Sequence, residues 1–182
     1  TEELAELMVG RKVLLRVDKQ LARPAAPVLD VEHLEVTDEQ GVRRVKDVSF
    51  TVRAGEIVGI AGVAGNGQSE LLEALSGIRK LSGGRVLLHG EPILDAADAR
   101  RKKLGHVPED RLRMGLVRGF PAYENAILGY QLLPAYTDHG FLRKRGIIAH
   151  CLDWMKGYDV RPVAPLLQAT SFSGGNQQKL VL

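Results

Sequence analysis

Residues 57–76 read IVGIAGVAGNGQSELLEALS. The apolar run Ile57–Ala61 predicts a short buried strand. A glycine-rich bend follows, Gly62-Val63-Ala64-Gly65-Asn66-Gly67. Gln68-Ser69-Glu70 then opens a helical pattern that carries Leu71, Leu72 and Leu75 on one side. Strand, glycine bend and helix together make a phosphate cradle. Gly65 and Gly67 can take backbone angles closed to other residues, which turns the amides inward, and the helix N-terminus adds positive potential. The spacing fits the phosphate-loop pattern of glycine, four residues, glycine, lysine and serine, except that Gln68 stands at the lysine position. A dinucleotide-binding spacing fails, because the third glycine it needs would fall at Glu70.

Composition sets wide bounds. The 182 residues are enough for one domain and a short appendage, with 45% hydrophobic and 26% charged residues. The 25 basic and 22 acidic residues give a net charge of +3, too balanced to argue for nucleic acid. Arg100-Arg101-Lys102-Lys103 has no interleaved aromatics, so it reads as a solvated face rather than a nucleic-acid platform. Its other uses would be an acidic partner surface or lipid headgroups. The single cysteine, Cys151, excludes an intrachain disulfide and reads as inert core. His106 and His150 have no neighbouring donors in sequence that would make a metal site. No apolar run reaches membrane-spanning length, which favours an intracellular setting, with peripheral attachment to a membrane complex left open.

Outward from the cradle, the N-terminal side reads as strands. Glu2–Met8 suits a short helix, and residues 9–19 suit a strand or an extended linker. Ala22–Pro27, with two prolines, reads as a linker with little internal pairing. Val28–Thr37 alternates through Leu29, Val31, Leu34 and Val36 and predicts a strand with a kink near His33. Val42–Val52 predicts a second, with Val45, Val48, Phe50 and Val52 inward, and Val86–Leu88 a third, followed by a Gly90-Glu91-Pro92 turn. These three form an antiparallel layer beside a central sheet, whose visible strands are Ile57–Ala61 and Leu104–Val107. Asp98–Lys103 reads as an exposed short helix.

The C-terminal side is helical. Tyr123–Leu128 has helical spacing, and so has Ile147–Lys156, with Ile148, Cys151, Leu152 and Met155 on one face. A loop occupies Leu133–Gly140. Phe172–Gly175 is a second glycine bend, and Gly175–Leu182 begins another helix. The fold expected is α/β, with a helical insertion and a central sheet that needs further strands. The chain is therefore expected to be a piece of a longer polypeptide.

Separated stretches then converge on one family. SFSGGNQQK at 171–179 resembles the signature motif of the ATP-binding-cassette (ABC) ATPases, with Phe172 where leucine is usual. Its Asn-Gln-Gln form resembles the sugar and nucleoside importer ATPases, which carry two cassettes in one chain. GVAGNGQSELLEALSG and HVPEDR resemble the second cassette of those proteins, and ELAELMVGR resembles the tail of the first. GLVRGFPAYENAILG and WMKGYDVRP look closer to the nucleoside type than to the ribose type.

The resemblance implies a P-loop NTPase core with an antiparallel β layer and a helical subdomain at about 115–170, incomplete at the C-terminus. Residues 1–27 would be the tail of the first cassette and a linker, and 28–182 a partial second cassette. Gly62, Ala64, Gly65, Asn66, Gly67, Gln68, Ser69 and Glu70 would bind ATP, with Ser69 and Glu109 as possible ligands to Mg2+. Glu109 stands where ordinary cassettes carry a glutamine. Ser173, Gly174, Gly175, Asn176 and Gln177 would act as the signature across a cassette dimer. Arg111 and Arg113 would pair with Glu109 and Asp110 or face the other cassette.

Gln68 offers a hydrogen bond but no charge, and charge-assisted bonds are roughly twice as strong as neutral ones, so nucleotide binding and hydrolysis are expected to be weak here. Residues 37–45 hold no aromatic to stack on adenine, which leaves Val42 or Val45. The partners implied are the other cassette, membrane permease subunits and, through them, a substrate-binding protein. Phe120, Pro121, Tyr123, Tyr136 and Phe141 are candidates for the permease contact, two of them as core. The setting implied is the cytoplasmic face of the inner membrane. The family's catalytic aspartate, following glutamate and switch histidine all lie after the signature helix, so the chain alone is expected to be inactive. Two readings remain beside nucleoside import: a ribose-type importer ATPase, and a non-catalytic nucleotide-binding or structural module. A soluble cassette protein of translation or DNA repair is a further rival.

Overall fold

The computed structural model describes residues 21–182. The readings at Glu2–Met8 and residues 9–19, including the first-cassette tail, lie outside the described residues. β1 (Pro27–Thr37) and β2 (Arg43–Arg53) form an antiparallel hairpin. β3 (Gly83–Leu88) pairs antiparallel with the other edge of β1, and β4 (Glu91–Pro92) pairs with β3, giving the sheet order β2-β1-β3-β4. The expected layer is thus present. The turn lies at His89-Gly90, so Glu91 and Pro92 belong to the fourth strand rather than to the turn.

The kink in β1 has a visible cause. Val31 and Leu34 both have to face the core, yet they are three residues apart, which a regular strand would place on opposite faces. An irregularity between Val31 and Leu34 restores the parity. His33 sits there at φ 49°. Its N–H donates to Ser49 Oγ at 2.8 Å, and its Nδ1 meets Asp47 Oδ1 at 2.7 Å. Val31, Leu34, Val36, Val45 and Val86 then bury one face of the sheet against Leu71, Ala74 and Leu75 of α1 (Gln68–Leu75).

α2 (Ala96–Arg101) lies beyond β4. It differs from the exposed helix expected, because Asp98 and Ala99 are buried. Asp98 accepts the Leu94 N–H and reaches Arg101 and Lys102 at 3.3 and 3.2 Å. The Leu94 N–H, followed by these cations, holds its carboxyl below the usual carboxylate range. The basic run therefore spends part of its charge inward. The linker reading also needs trimming at its end, since Ala25 N donates to Ala54 O and Ala54 N to Ala26 O, each at 3.0 Å.

A second core gathers the helices. α3 (Ala122–Asn125), α4 (Lys144–Gly157) and α5 (Gly174–Val181) surround Ala122, Tyr123, Ile127, Ile147, Cys151, Met155, Val160 and Phe172. In α4 the buried line is Ile147, Cys151 and Met155, at intervals of four, with Ile148 and Leu152 half-buried at its side. Within the expected loop, β5 (Thr137–Asp138) pairs with β6 (Phe141–Leu142), which begins just past its end, as a small hairpin.

The two central strands are corrected. Ile57–Ala61 and Leu104–Val107 form no ladder among the described residues. Ile57 is 98% exposed, and Val58, Ile60 and Val107 are also exposed. Parallel strands are stable when paired and covered on both faces. No described segment offers either run a neighbouring strand, so their apolar character is left unused.

Candidate functional site

The cradle is built at the junction of the sheet and α1. Gly65 and Gly67 both take positive φ, 88° and 95°. At Gly67 a side chain is doubly excluded, because a Cβ there would lie 2.4 Å from the Arg44 carbonyl oxygen of β2. The loop is thereby pressed against the sheet just where α1 begins, with Gly67 as its N-cap. The N–H groups of Gly65, Gly67, Gln68 and Ser69 have no protein partner among the described residues. Those unspent donors at a helix start fit a phosphate group. Asn66 differs, since its N–H donates to Val63 O at 3.2 Å.

The lysine position does something the spacing did not reveal. The Gln68 amide folds back over the loop and donates from Nε2 to Val63 O at 2.9 Å. Ser69 Oγ points elsewhere and donates to Glu109 Oε2 at 2.8 Å, across 40 positions of sequence. The structure thus brings together the two oxygen-bearing residues read as magnesium ligands. A hydroxyl and a carboxylate side by side are hard oxygen donors suited to Mg2+ in company with phosphate oxygens. Glu70 is half-buried beside them in the first turn of α1. Of the two valines left for adenine contact, Val45 is buried in the sheet core, and only the exposed Val42 is free for that role.

The second glycine bend is also a helix start. Ser173 is the N-cap of α5, exposed and in extended backbone geometry. Its Oγ accepts from Asn176 Nδ2 at 3.0 Å, while Asn176 Oδ1 accepts the Arg161 N–H at 2.9 Å. Gln177 turns away from this surface. It is 9% exposed, and its Nε2 donates to Ala169 O at 3.0 Å. The expected signature residues therefore divide between an outward group, Ser173 to Gly175, and Gln177, which ties the bend to the helical core. Phe172 anchors the same core from the other side of the bend.

Arg111 completes this region, a position that no sequence spacing marks. Its Nε approaches Gln177 Oε1 at 3.4 Å, and its guanidinium lies over Gly174, where a Cβ would be 2.9 Å from Nη2. It forms no ion pair with Glu109 or Asp110, so the first of the two alternatives for this arginine is set aside. Asp110 instead accepts the N–H groups of Leu112 and Arg113, capping the single π turn Arg111–Gly115. Only the arrangement of a turn against a distant helix reveals such a contact.

His106 and Cys151 serve structure. Burial holds His106 below its ordinary value, so it is neutral at pH 7, with Glu73 opposing and Arg100 reinforcing the shift. Burial pushes the Cys151 thiol up to about 11. No group of three or more His, Cys, Asp or Glu residues that would hold a metal occurs among the described residues. No described helix is long and apolar enough to cross a membrane.

Residues 45–182 match the family model described as ABC transporter. The chain is 42% identical, over its whole length, to the guanosine import ATP-binding protein NupO of Bacillus subtilis. It is equally 42% identical over its whole length to the nucleoside import ATP-binding protein NupA of Lactococcus lactis. It spans about 36% of the length of each. In fold it is similar to the dimeric bacterial ABC transporter cassette MJ0796, with a TM-score of 0.62 and 18% identity over 84% of this chain and 66% of that one. A family match running from β2 to the end of the chain, with relatives this similar along all of it, establishes that the chain belongs to the ABC transporter family of ATP-binding cassettes.

Proposed function

We propose that these residues form the greater part of the second cassette of an importer ATPase that serves nucleoside uptake. The observation that carries this reading is the 42% identity, along the entire chain, to two proteins named for guanosine and nucleoside import. In it, the free N–H groups of Gly65, Gly67, Gln68 and Ser69 bind the phosphates of ATP, and Ser69 with Glu109 would hold Mg2+. The metal would supply charge neutralisation at the phosphates. Gln68 brings no charge, so ATP is held weakly here and hydrolysis is slow. The outward Ser173-Gly174-Gly175 turn serves the ATP bound by the other cassette, when the two close on each other. That closure is transmitted to membrane permease subunits and, through them, concerns any substrate-binding protein. The cassette itself is peripheral to the inner membrane.

Transport by the full-length assembly tests this reading. Ser173 is exposed, so Ser173→Arg leaves both cores intact while it fills the turn with a long cation. Nucleoside uptake is expected to fall at least about tenfold, the loss that follows when 1.4 kcal/mol of transition-state stabilisation is removed. Unchanged uptake would exclude the cross-cassette role. Uptake of ribose in preference to nucleosides by the same assembly would favour the ribose-type reading.

A further inference from the structure

We infer that Gln68 is a latch that closes the phosphate loop on itself, and that ATP enters this site against that closure. The inference rests on reading residues 62–70 as a phosphate cradle. It assigns Gln68 a role opposite to that of a phosphate ligand.

Three observations carry it. The Gln68 Nε2 donates to Val63 O at 2.9 Å, tying the first residue of α1 to the second residue of the loop. The Asn66 N–H donates to the same oxygen at 3.2 Å, so two donors that a phosphate would need converge on one carbonyl. The space for this closure comes from Gly62, where a Cβ would stand 2.0 Å from Nε2 and 3.0 Å from the amide carbon of Gln68. The side chain therefore lies directly against the loop backbone, where only glycine admits it. A lysine at the same position would seek an anion as well as a carbonyl. A neutral amide is already satisfied by the carbonyl and gains less from exchanging it for phosphate.

The latch is weak enough to open. Val63 is 73% exposed, so water takes over its carbonyl when Gln68 leaves. A single neutral hydrogen bond given up on binding shifts affinity by about fivefold. An ATP molecule with enough other contacts then opens the loop, and the Gln68 Nε2 and the Asn66 N–H are freed in the process.

Hydrogen–deuterium exchange of the peptide covering residues 62–70, in the full-length two-cassette protein, reads this site without interference from the other one. Without nucleotide, Gln68→Ala and the similarly long Gln68→Met are both expected to exchange faster in this peptide than the unsubstituted protein. In an ATP titration, both are expected to reach half-protection at about fivefold lower concentration. Gly62→Ala, whose new methyl displaces the amide, should reproduce the effect. Combining it with Gln68→Ala should add nothing further, because both remove the same contact. A higher ATP requirement in Gln68→Ala, or an unchanged one, overturns the latch while leaving the cradle in place. Absence of ATP protection in this peptide in every variant overturns the cradle and the latch together.

Discussion

Single residues in this chain are decided by what stands next to them in space. Gly62, Gly67 and Gly174 each have a neighbour where a side chain would begin: the Gln68 amide, the Arg44 carbonyl and the Arg111 guanidinium. The sequence spacing marked all three as part of glycine bends. It could not say that one glycine admits a latch and another an arginine from the turn after Glu109, because both contacts join residues set by tertiary packing. Cys151 is the opposite case, since its apolar helical neighbours already read as core. It is 1% exposed, and burial pushes its thiol up to about 11. The thiolate is the reactive form, so at pH 8 a buried thiol of this kind is nearly silent. An aromatic disulfide reagent at that pH is expected to label Cys151 about a hundredfold more slowly than after unfolding in denaturant, in keeping with a thiol pushed up to about 11. Labelling of the folded chain at the unfolded rate would show that Ile147, Cys151 and Met155 do not pack as described.

Elements in the helical half are held by polar groups as much as by apolar ones. Asn125 ends α3 and is only 5% exposed. Its Oδ1 accepts the Val117 N–H at 2.8 Å, and its Nδ2 is shared among the carbonyls of Val117, Phe120 and Pro121 at 3.1–3.2 Å. One side chain thus supplies the partner of the Val117 N–H and adds to the backbone bonds that the Val117, Phe120 and Pro121 carbonyls already accept. Asn125→Ala leaves the Val117 N–H without its partner and is expected to cost about 2 kcal/mol, measured as a lower urea midpoint at unchanged slope. A change below about 0.5 kcal/mol would mean that water replaces the amide freely. In the sequence, Asn125 is an ordinary polar residue in a helical stretch, and nothing signals its load. The apolar periods were easier to read. Val31 to Val36 announced a strand and its kink, because only a bulge reconciles Val31 with Leu34 on one face. In α4 the period was right and the face was off by a fraction of a turn, since Ile147 and Ile148 are equally apolar and only the packing of α3 and α5 chooses between them.

At the scale of the molecule, the described residues form a β layer around α1 and a helical unit around α4, each with its own core. The cradle lies on the first, the Ser173 turn on the second, and the Glu109–Arg111 turn touches both through Ser69 and Gln177. The sequence carried the local chemistry of each site, because glycine spacing and helix starts are local. It did not carry that bridge, which joins residues 40 and 66 positions apart. Nor did it carry the fate of Ile57–Ala61, whose strand character needs a neighbour that no described segment supplies. That last point has a physical consequence. Ile57 at 98%, Ile60 at 50% and Val107 at 46% exposure present apolar side chains on backbone without a ladder. Unpaired strand edges recruit other chains. In sedimentation experiments the 182-residue chain is therefore expected to form species heavier than its 19.9 kDa monomer, increasingly so at higher concentration. Ile57→Lys places a charge on that edge at a position already in water, so it should shift the chain toward monomer with no loss of folded signal. A wild-type chain that stays monomeric at high concentration would show that these runs find cover within the chain itself.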